Sequence, residues 1–148
     1  MVIRQAQAKD ISDIQSCAEE AYAQYVAAIG KKPAPMVADF VPLIAAKHVH
    51  VFVDKVDSLL GFVVFFPKAD HMFLENVALR QDATGKGVGK QLIGYCETQA
   101  KQAGLGRVRL YTNEKMTANL SLYPHLGYRE THRKKEDGFN RVFFEKTI

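Results

Sequence analysis

Three glycines spaced two apart, Gly85, Gly87 and Gly89, alternate with Lys86 and Val88 and are followed by Lys90. Val77-Ala78-Leu79 leads into them as the end of an apolar strand, and Val88, Leu92, Cys96, Ala100 and Ala103 follow at helical spacing. A strand, a glycine loop and a helix in that order can hold a phosphate. Glycine lets main-chain N–H groups approach a ligand closely, and the first helical turn offers unpaired N–H donors backed by the positive end of the dipole. Lys86 and Lys90 add charge. Two common phosphate loops are excluded by spacing. A P-loop needs Gly where Thr84 stands and Ser or Thr where Gln91 stands, and the dinucleotide fingerprint needs Gly in place of Lys90.

Two other places carry polar groups where apolar ones are expected. Glu75 interrupts the run Met72 to Leu79. A carboxylate there has its pKa raised by desolvation unless a cation pairs with it, and Arg107 and Arg109 of the following strand are the available partners. Glu75 therefore reads either as a base or as half of a structural bridge. Asn119 and Tyr123 are four residues apart in a predicted helix, so they share one face.

The glycine loop resembles the pyrophosphate loop of the GNAT family of acyl-CoA N-acyltransferases, whose pattern is Gln or Arg, two residues, Gly, one residue, then Gly or Ala. Gly87 and Gly89 match it; Thr84 replaces the long polar residue and offers a hydroxyl instead. Met116 to Glu130 looks like the second signature of the family, a helix with Tyr four residues before Gly-Phe or Gly-Tyr, and Tyr123 before Gly127-Tyr128 fits. The resemblance implies acetyl-CoA as acyl donor, with Thr84, Gly85, Lys86, Gly87, Val88, Gly89 and Lys90 around the pyrophosphate. It further implies that Val77, Ala78 and Leu79 pair with the pantetheine and hold the thioester carbonyl, that Asn119 reaches the pantetheine arm, and that Tyr123 protonates the departing thiolate. A Glu on the strand of Glu75 often serves as base. The implied acceptor is a primary amine of a small molecule or a protein, attacked directly in a ternary complex. The resemblance places Tyr22, Tyr25, Met36 and Phe40 at the acceptor-side wall, with core packing the favoured reading for Tyr22, and Phe139 and Arg141 of the final hairpin opposite.

The elements that must position these residues follow from periodicity and turn chemistry. Val2 to Ala6 reads as a strand, and Asp10 as the cap of a helix carrying Ile11, Ile14, Ala18, Ala21, Tyr22, Tyr25 and Ile29 on one face, stopped by Gly30. A Pro-rich turn and a short helix through Phe40, Leu43 and Ile44 come next. Val49–Val53 and Leu59–Phe66 form a hairpin, Met72–Leu79 the strand before the glycine loop, and Arg107–Thr112 the strand after its helix. A helix from about Lys115 ends near Leu126, with Pro124 either bending it or ending it early. Asp137-Gly138 turns the last hairpin. The order β-αα-ββ-β-α-β-α-ββ is that of the GNAT fold: α/β (α+β), a mixed, mostly antiparallel sheet of about seven strands flanked by about four helices, in one domain over residues 1–148.

Composition narrows the classes. The chain has 148 residues, 47% apolar content and a net charge of +4. That suffices for a core without staples, and the mild positive charge suits a polyanionic ligand. The basic residues are scattered except Arg133-Lys134-Lys135, so no nucleic-acid stripe is expected, and no apolar run is long enough to span a membrane. Cys17 and Cys96 lie at apolar positions, which predicts reduced core thiols, a cytoplasmic location and no acyl-cysteine step. His48 and His50 read as exposed or edge residues, and no metal site is expected. The exposed edge of the last hairpin is compatible with a homodimer. A rival from another class is a non-catalytic acetyl-CoA sensor or interaction module; free thiol released from acetyl-CoA and a panel of amines separates it from an enzyme.

Overall fold

The computed structural model describes all of residues 1–148. Strand β1 (Val2–Gln5) leads through a 3-10 turn into α1 (Ile11–Tyr22), a second 3-10 turn (Ala23–Tyr25), the single turn α2 (Val26–Ile29) and, after the Pro-rich segment, α3 (Phe40–Ala45). Then come β2 (Val49–Val53), β3 (Leu59–Lys68), β4 (His71–Leu79), α4 (Val88–Gln102), β5 (Arg107–Asn113), α5 (Thr117–His125), β6 (Arg129–Glu136) and β7 (Phe139–Thr147). The seven strands form one sheet in the order β1-β2-β3-β4-β5-β7-β6, antiparallel at every pairing except the parallel β4–β5. This is the expected mixed sheet.

Each face of the sheet buries its own core. Phe52, Val63, Leu74, Leu110 and Phe144 meet Leu92, Ile93 and Cys96 of α4 and Tyr123 of α5 on one side. Val51, Phe62 and Val64 meet Ile14, Cys17 and Ala18 of α1 and Phe40 of α3 on the other. Alternation along the strands sorts these residues between faces, and the apolar spacing of α1 and α4 supplies the covers. Asp137 (φ 52°) and Gly138 (φ 78°) make the two-residue turn between β6 and β7.

Two irregularities of β4 create the site. It pairs with β5 only at Met72↔Val108 and Phe73↔Arg109, so the two strands part beyond Phe73. On its other edge the register with β3 steps from Phe65↔Leu74 to Val64↔Asn76, which leaves Glu75 as the extra residue of a β-bulge. A bulge bends its strand and re-aims one side chain. It does so here at the second residue beyond the last β4–β5 pair.

Local expectations change in three places. The helix predicted across residues 11–29 breaks after Tyr22 into a 3-10 turn. Tyr25 and Ile29 still pack, partly buried, against the same core as Tyr22, so the break tightens the helix without turning them away from that side. Asp10 makes no side-chain cap for α1; its buried carboxylate accepts from the Gln7 N–H (2.7 Å) and pairs with Arg4 (2.8 Å), whose guanidinium holds its pKa below the ordinary carboxylate value. His48 and His50 are not edge residues. β1 pairs outside β2, the two rings stack on Phe66 and Phe65 at 4.8 and 5.1 Å, and burial lowers the pKa of His50.

Candidate active site

The glycine loop is open and unpaired. Gly85 (φ 76°) and Gly87 (φ 78°) occupy the left-handed region, and a Cβ placed on either would meet no protein atom within 4 Å. Gly87 is the N-cap of α4, where no side chain caps the helix, and the first intrahelical bond runs from Gln91 N to Gly87 O (3.1 Å). The N–H groups of Val88, Gly89 and Lys90 therefore head the helix without intrahelical acceptors. Buried Val88 anchors the turn from beneath, while Lys86 and Lys90 are exposed. Thr84 turns its hydroxyl inward, donating to Gln81 O at 2.7 Å, so it fixes the loop's approach and does not reach outward as a longer polar side chain would.

Where β4 and β5 part lies a cavity of about 250 Å³. Glu75, Asn76 and Val77 line it from β4, and Tyr111, Thr112 and Asn113 from β5. Asn119 and Tyr123 of α5 enter from one side, and Tyr22, the Pro33–Pro35 segment, Phe139 and Arg141 complete it. The structure thus brings Glu75, Val77, Asn119 and Tyr123 to one space. Ala78 is buried and Leu79 half-buried, continuing β4 toward the glycine loop.

Glu75 has no cation in salt-bridge contact. Arg107 and Arg109 are engaged instead with Glu145, at 3.6 and 3.2 Å, so the bridge considered from sequence does not form. The residue as a whole is exposed because the bulge turns it into the opening, yet lost hydration raises its pKa, against a smaller opposing pull from Lys68 and His48. A carboxylate without a cation partner, poised above its ordinary pKa, is suited to accept a proton near neutrality.

Tyr123 is buried, its ring packed edge-on to Tyr128 (5.6 Å) and beside Phe144 (5.8 Å). Burial, with a lesser contribution from Cys96, drives its pKa up, and no hydrogen bond perturbs the hydroxyl. The phenol stays protonated at any physiological pH. α5 ends one residue beyond Pro124: Leu126 N reaches back to Leu122 O and Tyr123 O, Tyr128 N reaches Tyr123 O, and Gly127 takes φ 94°. Pro124 has no N–H to give the Leu120 carbonyl, so the helix stops just past the residue that must face the cavity. Asn119 donates from Nδ2 to Thr112 Oγ1 (3.0 Å), tying α5 to β5.

A polar network the sequence does not announce joins the strand of Glu75 to the opposite wall. The Tyr22 hydroxyl donates to Asn76 Oδ1 (2.7 Å) and lies 3.0 Å from Val77 O, while Asn76 Nδ2 donates to Pro35 O at 3.3 Å. Tyr22, expected in the core, is buried there and also lines the cavity. Tyr25 and Met36, expected at the wall, pack against the α1-side core and are not among its lining residues. Phe139 and Arg141 do line the far side, where Lys31 lies 4.1 Å over the Phe139 ring and links the two walls. Both cysteines lie outside the cavity, fully buried, and burial pushes the Cys17 thiol up to about 12, which leaves it unreactive.

Residues 13–128 match the family model described as the acetyltransferase (GNAT) family. No curated protein sequence matches the chain. Among solved structures, it resembles the PaiA N-acetyltransferase of Thermoplasma acidophilum in complex with coenzyme A, with a TM-score of 0.79 at 20% identity, covering 99% of this chain and 98% of that one. Ard1 from Thermoplasma volcanium superposes with a TM-score of 0.80 at 16% identity, covering 99% and 97%. The ribosomal-protein-S18-alanine N-acetyltransferase of Escherichia coli gives 0.75 at 14%, covering 99% and 93%. At these identities the likeness is one of fold. No helix is long and apolar enough to cross a membrane.

Proposed function

The chain belongs to the GNAT acetyltransferase family, and from that premise we propose that it transfers the acetyl group of acetyl-CoA to a primary amine by direct attack within a ternary complex. The observation that carries this reading is the convergence of an unpaired Glu75 and a buried, protonated Tyr123 on one cavity at the gap between β4 and β5. Acetyl-CoA is the acyl donor, and it supplies an activated carbonyl with a thiolate leaving group.

The residues present fit such a donor. Gly85, Gly87 and the free N–H groups at the head of α4 form an open cradle of main-chain donors suited to a pyrophosphate. Lys86 and Lys90 screen its charge. Beyond Phe73 the β5-facing edge of β4 has no strand partner, so main-chain groups from Glu75 to Leu79 are free to pair with an extended, amide-bearing arm and to hold a carbonyl oxygen. Asn119 sits where it can touch the same arm. Glu75, directly or through one water, takes the proton that the attacking nitrogen sheds as the N–C bond forms. Tyr123 gives its proton to the sulfur as the C–S bond breaks, and both groups reset by exchange with solvent. With both thiols buried away from the cavity, no acyl-enzyme step is invoked.

Incubation with acetyl-CoA and a panel of small amines and peptide N-termini, monitored for free thiol, tests the proposal; no thiol above the hydrolytic background with any amine would refute it. The cradle has its own test. Gly87→Val imposes a β-branched side chain at φ 78° and projects it into space that holds no protein atoms, so its effect falls on the loop and its ligand. CoA affinity should fall by about tenfold or more in calorimetric titration. An unchanged dissociation constant in a folded variant removes the loop from the site.

A further inference from the structure

A groove on the outer face of the sheet opens from the same cavity, sharing Glu75, Tyr111 and Arg141 with it. Its floor is a row of rings that crosses five strands: Phe66 to Phe73 at 5.5 Å, Phe73 to Tyr111 at 5.7 Å, Tyr111 to Phe143 at 5.4 Å, and His132 stacked on Phe143 at 4.2 Å. Phe66, Tyr111 and Phe143 remain partly exposed. Apolar rings in register across strands normally belong under a helix; here they line the continuation of the site.

The charges of the groove are unequal in their commitments. Glu136 is taken by Arg141 (3.1 Å) and Lys134 (3.3 Å), and Asp70 by His71 (3.0 Å). Glu145, nearly buried, is shared by Arg109, Arg107 and Arg129 at 3.2, 3.6 and 3.9 Å, so one carboxylate serves three guanidinium groups. Lys68 stands 4.1 Å over the Phe73 ring and forms no salt bridge, its pull on Glu75 acting only at longer range. Positive charge is thus in surplus around Phe73, and the spare donors of Arg109 and the Lys68 ammonium face the groove. Phe73 lies two residues before Glu75 on β4.

Resting on the transfer reading above, we infer that this groove is the outer half of the acceptor site and takes an anionic group, a carboxylate or a phosphate, carried by the amine acceptor. Glu75 receives the amine, the ring floor covers an apolar stem, and Lys68 with Arg109 receives the anion roughly 7 Å further along, one two-residue step of a strand. A distal ammonium in that place meets like charge and is disfavoured.

Four amines of similar reach separate the possibilities: ε-aminocaproate, aminopentyl phosphate, hexylamine and hexamethylenediamine. Binding to the CoA-saturated protein is read by calorimetry, and acetylation by thiol release. At least one of the two acids should bind about tenfold or more tightly than hexylamine, and the stronger of them identifies the anion. Lys68→Gln combined with Arg109→Gln should abolish that preference while leaving hexylamine binding unchanged; Glu145 keeps Arg107 and Arg129, so the fold survives. Acids that bind no better than hexylamine, or a diamine that binds best, would overturn the inference. Thiol release with hexylamine but no acid preference in binding sinks the groove alone. Acid preference in binding without thiol release from any of the four sinks the transfer reading alone.

Discussion

Tyr123→Phe is expected to lower kcat by between about tenfold and a thousandfold while CoA affinity stays within about twofold of the original. The substitution keeps the ring between Tyr128 and Phe144 and deletes a hydroxyl that no hydrogen bond engages within the protein. Its stability cost should therefore stay below about 1 kcal/mol. Tyr123→Ala is the contrasting variant, since losing a buried aromatic ring costs about 3–5 kcal/mol. Were the residue only a packing element, Phe would be kinetically silent and Ala would melt early. Its proton is available throughout the working range because burial raises its pKa. The same burial need not hinder donation, since a thiolate leaving in that environment is also stripped of water and correspondingly more basic. Steady-state kinetics and thermal melts on the two variants decide between the roles.

Glu75→Gln should cost about a hundredfold to ten-thousandfold in kcat at neutral pH, the usual worth of a positioned general base. Its effect on stability has a predictable sign. Burial raises the carboxyl pKa in the folded protein, so ionised Glu75 opposes folding above that value and stability rises as pH falls through it. Removing the charge should leave the melting temperature at neutral pH unchanged or slightly higher. A structural bridge predicts the reverse, a lower melting temperature with turnover preserved. The pH profile gives a second readout: the acid limb of kcat/KM, lying above the ordinary glutamate pKa, should vanish in Glu75→Gln. An acid limb identical in both proteins would assign it to the acceptor amine and remove Glu75 as base.

The parts of the site legible in the sequence are those made by one continuous segment. Gly85, Gly87 and Gly89 sit at the end of a strand and the head of a helix, and Asn119 and Tyr123 share a helical face; both arrangements depend on neighbours a few residues away. What was not legible depends on pairing between distant segments. Whether Arg107 and Arg109 reach Glu75 is decided by Glu145, which sits opposite Arg109 in the β5–β7 register and captures them. Tyr22 lines the cavity and Tyr25 does not, because the Tyr22 hydroxyl reaches Asn76 and Val77 of β4, a contact between distant segments that apolar spacing alone does not reveal. Asn76 gives no signal in the sequence. Its amide becomes informative only once Tyr22 and Pro35 are placed against it.

The brevity of the β4–β5 pairing has a mechanical consequence. Two residue pairs are all the ladder that stitches β1–β4 to β5–β7, so the sheet is two plates riveted at one end. On the proposed binding mode, an extended donor lying in the gap would supply the missing rungs, and its binding energy would become cohesion between the plates. Amide exchange should report this directly: the main-chain protons of Val77 and Leu79, and those of the facing stretch of β5 that β7 does not protect, should slow on CoA binding more than those of β2. Product departure would then unzip the same rungs, so the seam that admits the donor would close and open once in every cycle of turnover.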